Sequence, residues 1–224
     1  MKDIFKVRQP AVNIHNTLPV ARPGWIFILI SAGLFLICLL ADWGCLRNFF
    51  FLLTCFVAWF FRDPARPAPP AGFGLSPADG RIIAVEDLDD NPYTNAPAKK
   101  VSIFMNVFNV HVNRIPIGGR LVSQTYFPGA FLNASLDKAS ESNERNALLL
   151  ETDEGKVGVV QIAGLIARRI VSWVDEGESM ERGQRFGMIR FGSRVDLYLP
   201  PNSEIMVAVG QNVSAGWSPI WRRP

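Results

Sequence analysis

The chain divides by its pattern of apolar and polar positions. From Trp25 to Leu40 every position is uncharged and most are apolar, and after Asp42, Trp43, Gly44 and Arg47 a second apolar run extends from Phe49 to Phe61. Runs of this length and continuity predict helices suited to lipid. The second reaches spanning length only if it starts near Trp43 and includes Arg47, whose side chain then snorkels to the interface. Beyond Phe61 the pattern changes to short β-type runs: Arg81–Val85, Lys100–Val107, Leu121–Gln124, Leu148–Glu151, Val157–Ile162, Arg168–Trp173, Arg194–Leu199 and Glu204–Val209. Turn residues bound them at Asp79-Gly80, Gly118-Gly119, Asp153-Glu154-Gly155 and Pro200-Pro201-Asn202. Short strands at this spacing predict a sandwich or barrel. The proline-rich stretch from Arg66 to Pro77 reads as an extended linker, and 130–146 could hold one or two helical turns.

These elements give a mostly β (α+β) fold, with an N-terminal membrane helical hairpin ahead of a β domain. The expected divisions are a basic arm at 1–24, a hairpin at 25–61 and a domain at 62–224. The segments Ala78–Asp87 (ADGRIIAVED) and Val207–Gly216 (VAVGQNVSAG) look like the half-motifs of a hybrid barrel-sandwich. The lysine that would carry a lipoyl or biotinyl group is missing, so the barrel is read as a scaffold.

Charge refines the membrane reading. The formal net charge is +3, and residues 62–224 carry 18 basic and 18 acidic side chains, so the excess positive charge lies at the N-terminus. Lys2, Lys6, Arg8 and Arg22 precede the hairpin and Arg62 and Arg66 follow it, which places both of its ends in the cytoplasm. The expected location is a membrane, read as a bacterial inner membrane, with the 62–224 domain facing the cytoplasm. No basic stripe interleaved with aromatics is present, which argues against nucleic acid. The cysteines, Cys38, Cys45 and Cys55, all lie in or between the apolar runs, and the only histidines are His15 and His111, so no thiolate or histidine-rich metal site is expected.

The candidate chemistry centres on Phe191-Gly192-Ser193. A serine hydroxyl can attack the carbonyl before it, converting amide to ester, and Gly192 puts no side chain in the way. Elimination and hydrolysis would then leave a pyruvoyl group. Gly-Ser alone is an ordinary turn dipeptide. A hydrolase elbow would need GxSxG, whereas Arg190-Phe191-Gly192-Ser193-Arg194-Val195 lacks both flanking glycines.

The accompanying motifs carry a family resemblance. FRDP (61–64), SPADGRI (76–82), FNVHVNRIP (108–116), YFPGAFLNASLDKASESNERN (126–146), ARRIV (167–171) and the FGS tripeptide, in this order, resemble the phosphatidylserine decarboxylase proenzymes of the short branch, from about Arg22 to about Gly216. The resemblance implies self-cleavage between Gly192 and Ser193 into chains 1–192 and 193–224. It implies a covalent pyruvoyl cofactor made from Ser193, with neither pyridoxal phosphate nor metal, and decarboxylation of phosphatidylserine to phosphatidylethanolamine and CO2. Asp79, His111 and Ser193 are then the catalytic residues, the aspartate orienting the histidine. Longer-branch relatives have His-x-x-His where this chain has His111-Val112-Asn113-Arg114, so the division of steps at His111 stays open. Arg145, Arg168 and Arg169 are candidates for the substrate's phosphate or carboxylate, equally readable as exposed ion pairs, and Asn133, Ala134 and Ser135 as pocket residues. The implied partners are the lipid in its membrane and the two cleavage fragments as a heterodimer, with a higher oligomer left open. The alternatives are a non-catalytic membrane-tethered module binding lipid or a partner, and a serine hydrolase.

Overall fold

The computed structural model describes residues 19–67, 72–130, 132–134, 142–164, 169–190 and 193–222. Gly192, Arg168, Ser135 and residues 131 and 135–141 of the stretch expected to hold helical turns lie outside these residues, as does most of the basic arm. The chain divides into two compact units, one ending at Ala65 and one running on from Arg66.

The first unit is a helical hairpin. A 3-10 turn at Arg22–Gly24 leads into α1 (Trp25–Leu40), and α2 covers Gly44–Phe60. Asp42, in the left-handed region at φ 54°, reverses the chain between them. Phe27 stacks on Phe61 at 5.5 Å and Phe35 meets Phe51 at 5.8 Å, so the helices run antiparallel and return the chain to its starting end. A bridge between Val20 and Arg62 closes that end. Large apolar side chains stay exposed on both helices, Leu29, Leu40 and Leu52 by more than 60%. Helices apolar all round need an apolar surrounding. The 19-residue stretch Arg22–Leu40 is long and apolar enough to cross a membrane, while α2, at 17 residues, is shorter.

The second unit is built from strands: β1 (Phe73–Leu75), β2 (Gly80–Leu88), β3 (Ala98–Met105), β4 (Val112–Arg114), β5 (Gly119–Phe127), β6 (Arg145–Thr152), β7 (Gly155–Ala163), β8 (Ile170–Ser172), β9 (Ser179–Met180), β10 (Arg185–Ile189), β11 (Ser193–Leu199), β12 (Glu204–Ile205), β13 (Asn212–Val213) and β14 (Pro219–Arg222). The principal sheet has the order β13-β2-β3-β11-β7-β6-β5-β9, a curled half-barrel flanked by the three-stranded sheets β4-β10-β8 and β1-β14-β12. The two hybrid-barrel half-motifs lie side by side, β13 pairing with β2 through Asn212↔Arg81 and Val213↔Gly80. Two strands are shorter than expected, β8 at Ile170–Ser172 and β12 at Glu204–Ile205. The run Glu204–Val209 holds strand only at Glu204–Ile205, because Ala208, Gly210 and Gln211 turn back onto Ile82. The strands β1, β4, β9, β10, β13 and β14 went unpredicted. They are two to five residues long, too short to establish a period.

The strand β11 explains the sheet's buried middle. Val195, Leu197 and Leu199 point into the main core with Ile82, Ile103, Met105, Val159 and Phe186. Arg194, Asp196 and Tyr198 alternate to the opposite face, and they are buried too. The Arg194 guanidinium donates to Asp196 at 2.6 Å and to Ser102 Oγ at 2.7 Å, which satisfies charges that would otherwise be costly there. Burial, with the Asp196 charge beside it, pushes the Tyr198 hydroxyl pKa far above its ordinary value. Tyr198 packs there with Ala147, Val160 and Ile162, and Tyr93 meets its ring at 5.2 Å.

One contact holds the start of β2 against β3. A Cβ at Gly80 would lie 2.1 Å from the Phe104 carbonyl oxygen, a backbone atom that cannot yield without separating the strands. Gly80→Ala should therefore destabilise the fold by about 1–3 kcal/mol, the usual cost of overpacking. Urea unfolding checks this, and an unchanged midpoint would contradict the packing described.

Candidate active site

Ser193 opens β11 and stands between paired strands, opposite Met105 of β3 on one side and Ala163 of β7 on the other. Its side chain is fully buried, and its hydroxyl donates to the Met105 sulfur at 3.3 Å. A thioether is a weak acceptor. The hydroxyl is therefore lightly held in a place water does not reach.

Asp79 lies just before β2, next to Gly80. Arg66 grips its carboxylate with both nitrogens, Nη1 to Oδ1 at 2.5 Å and Nη2 to Oδ2 at 2.8 Å. The backbone N–H of Ala215 also donates to Oδ1 at 2.8 Å, and Arg66 Nη1 returns a bond to the Ala215 carbonyl. Asp79 thus ties together the segment before β1, the start of β2 and the chain following β13. The bidentate fork fixes the plane of the carboxylate as well as its charge.

His111 immediately precedes β4 and is fully buried. The Ile189 N–H donates to its carbonyl at 3.4 Å, setting His111 beside the end of β10, from which the chain runs on toward Ser193. Ser193 and Asp79 therefore stand at one end of the principal sheet, while His111 belongs to the flanking sheet β4-β10-β8. Among the described residues the Asp79 carboxylate takes its hydrogen bonds from Arg66 and Ala215, and the Ser193 hydroxyl gives its own to Met105; neither is bonded to His111.

The arginine candidates separate. Arg145 lies over the Phe127 ring at 4.3 Å, on the face of the sheet opposite the main core. Arg169 is next to β8 and meets Arg190, just past β10, through a backbone bond at 3.3 Å. Burial, and then the like charge of Arg169, lower the Arg190 pKa from its ordinary value. Arg169 and Arg190 are thereby brought together three residues before Ser193. Asn133 and Ala134 lie beside Leu132, whose N–H and carbonyl are both held by the Asn143 amide; the same amide donates to the Ala163 carbonyl at 2.7 Å.

Sequence reading missed Arg66, Met105, Asn113, Gln161 and Arg190. Arg66 sits in a stretch whose prolines mark it as linker. Asn113 falls between the histidine and arginine of a motif read for those two alone. Gln161 is hidden in an apolar strand, where a single buried amide was the only available signal.

The family model described as phosphatidylserine decarboxylase matches residues 53–220. Proteins named phosphatidylserine decarboxylase proenzyme from Paraburkholderia phymatum and Paraburkholderia xenovorans are each 56% identical over 199 residues, covering 88% of this chain and 93% of theirs. One of that name from Burkholderia ambifaria is 55% identical, with 88% and 92% covered.

Removing one partner of a mostly buried ion pair is costly because the other charge is left unpaired. Arg66→Ala should cost about 3 kcal/mol, lowering Tm by roughly 6–12 °C for a domain of this size. Arg66→Lys keeps the charge but loses the fork, and should cost less. Thermal unfolding of the full chain in detergent checks both. An Arg66→Ala variant with the unaltered Tm would contradict the clamp.

Proposed function

The chain belongs to the phosphatidylserine decarboxylase family, and we propose that it decarboxylates phosphatidylserine to phosphatidylethanolamine after cutting itself between Gly192 and Ser193. The observation that carries this reading is Ser193: a buried hydroxyl, lightly held by sulfur, at the first position of a strand fixed on both edges.

Ser193 Oγ attacks the carbonyl carbon of Gly192 as its proton passes to a base, and the amide nitrogen takes up a proton as the C–N bond breaks. Gly192 and Ser193 are then joined by an ester. A base removes the Ser193 Cα proton, the Cβ–Oγ bond breaks, and hydrolysis of the resulting dehydroalanine releases ammonia. His111 is the base in this reading, as the only histidine of residues 62–224. Asp79, clamped by Arg66 and Ala215, supplies fixed negative charge at the same end of the sheet.

The residues present fit a pyruvoyl group at position 193. It keeps the three-carbon skeleton of the serine and needs no more room than the buried Ser193 side chain already fills. That group supplies the electrophilic carbonyl and electron sink for decarboxylation. Enclosure by β3 and β7 excludes water, and His111 is the group to return a proton to the product carbon. Arg169 and Arg190 together offer positive charge to the phosphate of the head group. The apolar hairpin anchors the chain in a bacterial inner membrane, with both ends and the 62–224 domain in the cytoplasm. The two cleavage products stay together as one enzyme, since β11 lies between β3 and β7.

Ser193→Ala should remain a single inactive chain, having no hydroxyl to attack. His111→Ala should slow cleavage by about 10²–10⁴-fold, the usual worth of general-base help. Gel analysis of cleavage over time and CO2 release from detergent-solubilised phosphatidylserine measure both. Cleavage of Ser193→Ala at the same bond would refute the assignment of the nucleophile.

A further inference from the structure

A line of four side-chain amides crosses the core on the side of the principal sheet that Ser193 faces. Gln124 Nε2 donates to Asn146 Oδ1 at 3.3 Å, and Asn146 Nδ2 donates to Gln161 Oε1 at 3.1 Å. Gln161 Nε2 then donates to Asn113 Oδ1 at 2.8 Å, and Asn113 Nδ2 ends the line on the Met105 sulfur at 3.7 Å. Asn113, Gln161 and Asn146 are buried, among Leu148, Val159 and Val195. Amides in such surroundings are unfavourable unless their bonds are made. The two middle bonds, at 3.1 and 2.8 Å, are made well, whereas in the last a good donor meets a poor acceptor.

The direction of the line is fixed. Because Asn113 Oδ1 is taken by Gln161, its NH2 must face Met105. Turning the amides over would set the Asn113 oxygen against the sulfur lone pairs, with nothing to donate between them. The same sulfur accepts the Ser193 hydroxyl at 3.3 Å. A buried, oriented N–H donor and the reacting oxygen thus meet at one thioether, on a side chain that repacks easily.

We propose that Asn113 is the donor that receives the Ser193 oxygen as it leaves Cβ during self-processing, and that Gln161 and Asn146 are positioning residues that aim it. The proposal rests on the reading of Ser193 given above. In the ester, Oγ bridges Ser193 Cβ and the Gly192 carbonyl carbon. Loss of the Cα proton to a base forms the Cα=Cβ bond, and the Cβ–Oγ electron pair departs on the oxygen. That oxygen becomes part of the Gly192 carboxylate, and its charge grows where Asn113 Nδ2 can donate once the sulfur moves aside. Fixed donors at developing oxyanions are among the larger catalytic effects. Attack itself needs Oγ as a nucleophile, which a donor does not assist, so Asn113 serves the second step and not the first.

This separates the two steps experimentally. In the full-length chain Asn113→Leu keeps the shape and removes the donor. The blocked 193–224 fragment should appear about 10²–10³-fold more slowly, the range for loss of one such donor. The ester should accumulate meanwhile, so that hydroxylamine splits the chain into 1–192 and a fragment beginning with a sequenceable Ser193. Gln161→Leu, which frees the Asn113 amide to rotate, should show the same hydroxylamine-labile ester with a smaller delay. Maturation of Asn113→Leu at the unaltered rate would overturn the proposal. So would an uncut Asn113→Leu chain that hydroxylamine leaves intact, if Gln161→Leu matures without ester accumulation. A natural-sequence chain that never yields a blocked fragment would instead refute the self-processing reading, and this proposal would fall with it.

Discussion

The strand β11 is hydrogen-bonded along both edges, to β3 and to β7, for nearly its whole length. Its two faces are both buried, one in the main core and the other around the Arg194–Asp196 pair. A strand so held cannot slip by one residue without exchanging Val195 and Leu197 for charged groups. Ser193 is therefore fixed in position and in the direction its side chain takes. The site is assembled around that fixed point. Met105 is its cross-strand neighbour, the amide line reaches Met105 from behind, and Asp79 is drawn to the same end of the sheet by Arg66 and Ala215. Cutting the bond before Ser193 would leave both ladders of β11 intact, so the geometry built in the uncut chain survives into the mature one.

Much of this was legible in the sequence, and what was not has a physical cause. The hairpin followed from uninterrupted apolar runs, and the β-rich unit from turn residues between Val- and Ile-rich segments. Asp79, His111 and Ser193 were named from motifs. Their partners were not, because partners are set by the fold. Nothing in the sequence says that Arg66, in a proline-rich stretch, closes on a carboxylate thirteen residues later. Likewise, Asn146 and Gln161 face each other across the neighbouring strands β6 and β7, but Asn113 joins them only when the flanking sheet is set against the principal one. The arginines show the converse. Arg145 and Arg169 read alike as candidates, yet one covers an aromatic ring and the other meets Arg190 beside the chain leading to Ser193.

The two units divide the physical work. The hairpin exposes large apolar side chains along both helices, with its ends at one side, and the second unit buries Ser193, His111 and Asp79. In our reading the first holds the chain at the membrane where a lipid substrate resides. The second supplies a dry, rigid place for a group that water would otherwise attack.

The central claim, that Ser193 becomes the first residue of a new chain carrying a carbonyl in place of its amine, is tested most directly by intact-mass analysis of the purified natural-sequence protein. The account predicts two species, residues 1–192 with an ordinary carboxylate and residues 193–224 with a blocked N-terminus. Borohydride should add two mass units of hydrogen to the shorter one, by reduction of its keto group, and abolish activity. An active preparation containing only the intact 224-residue chain would contradict it.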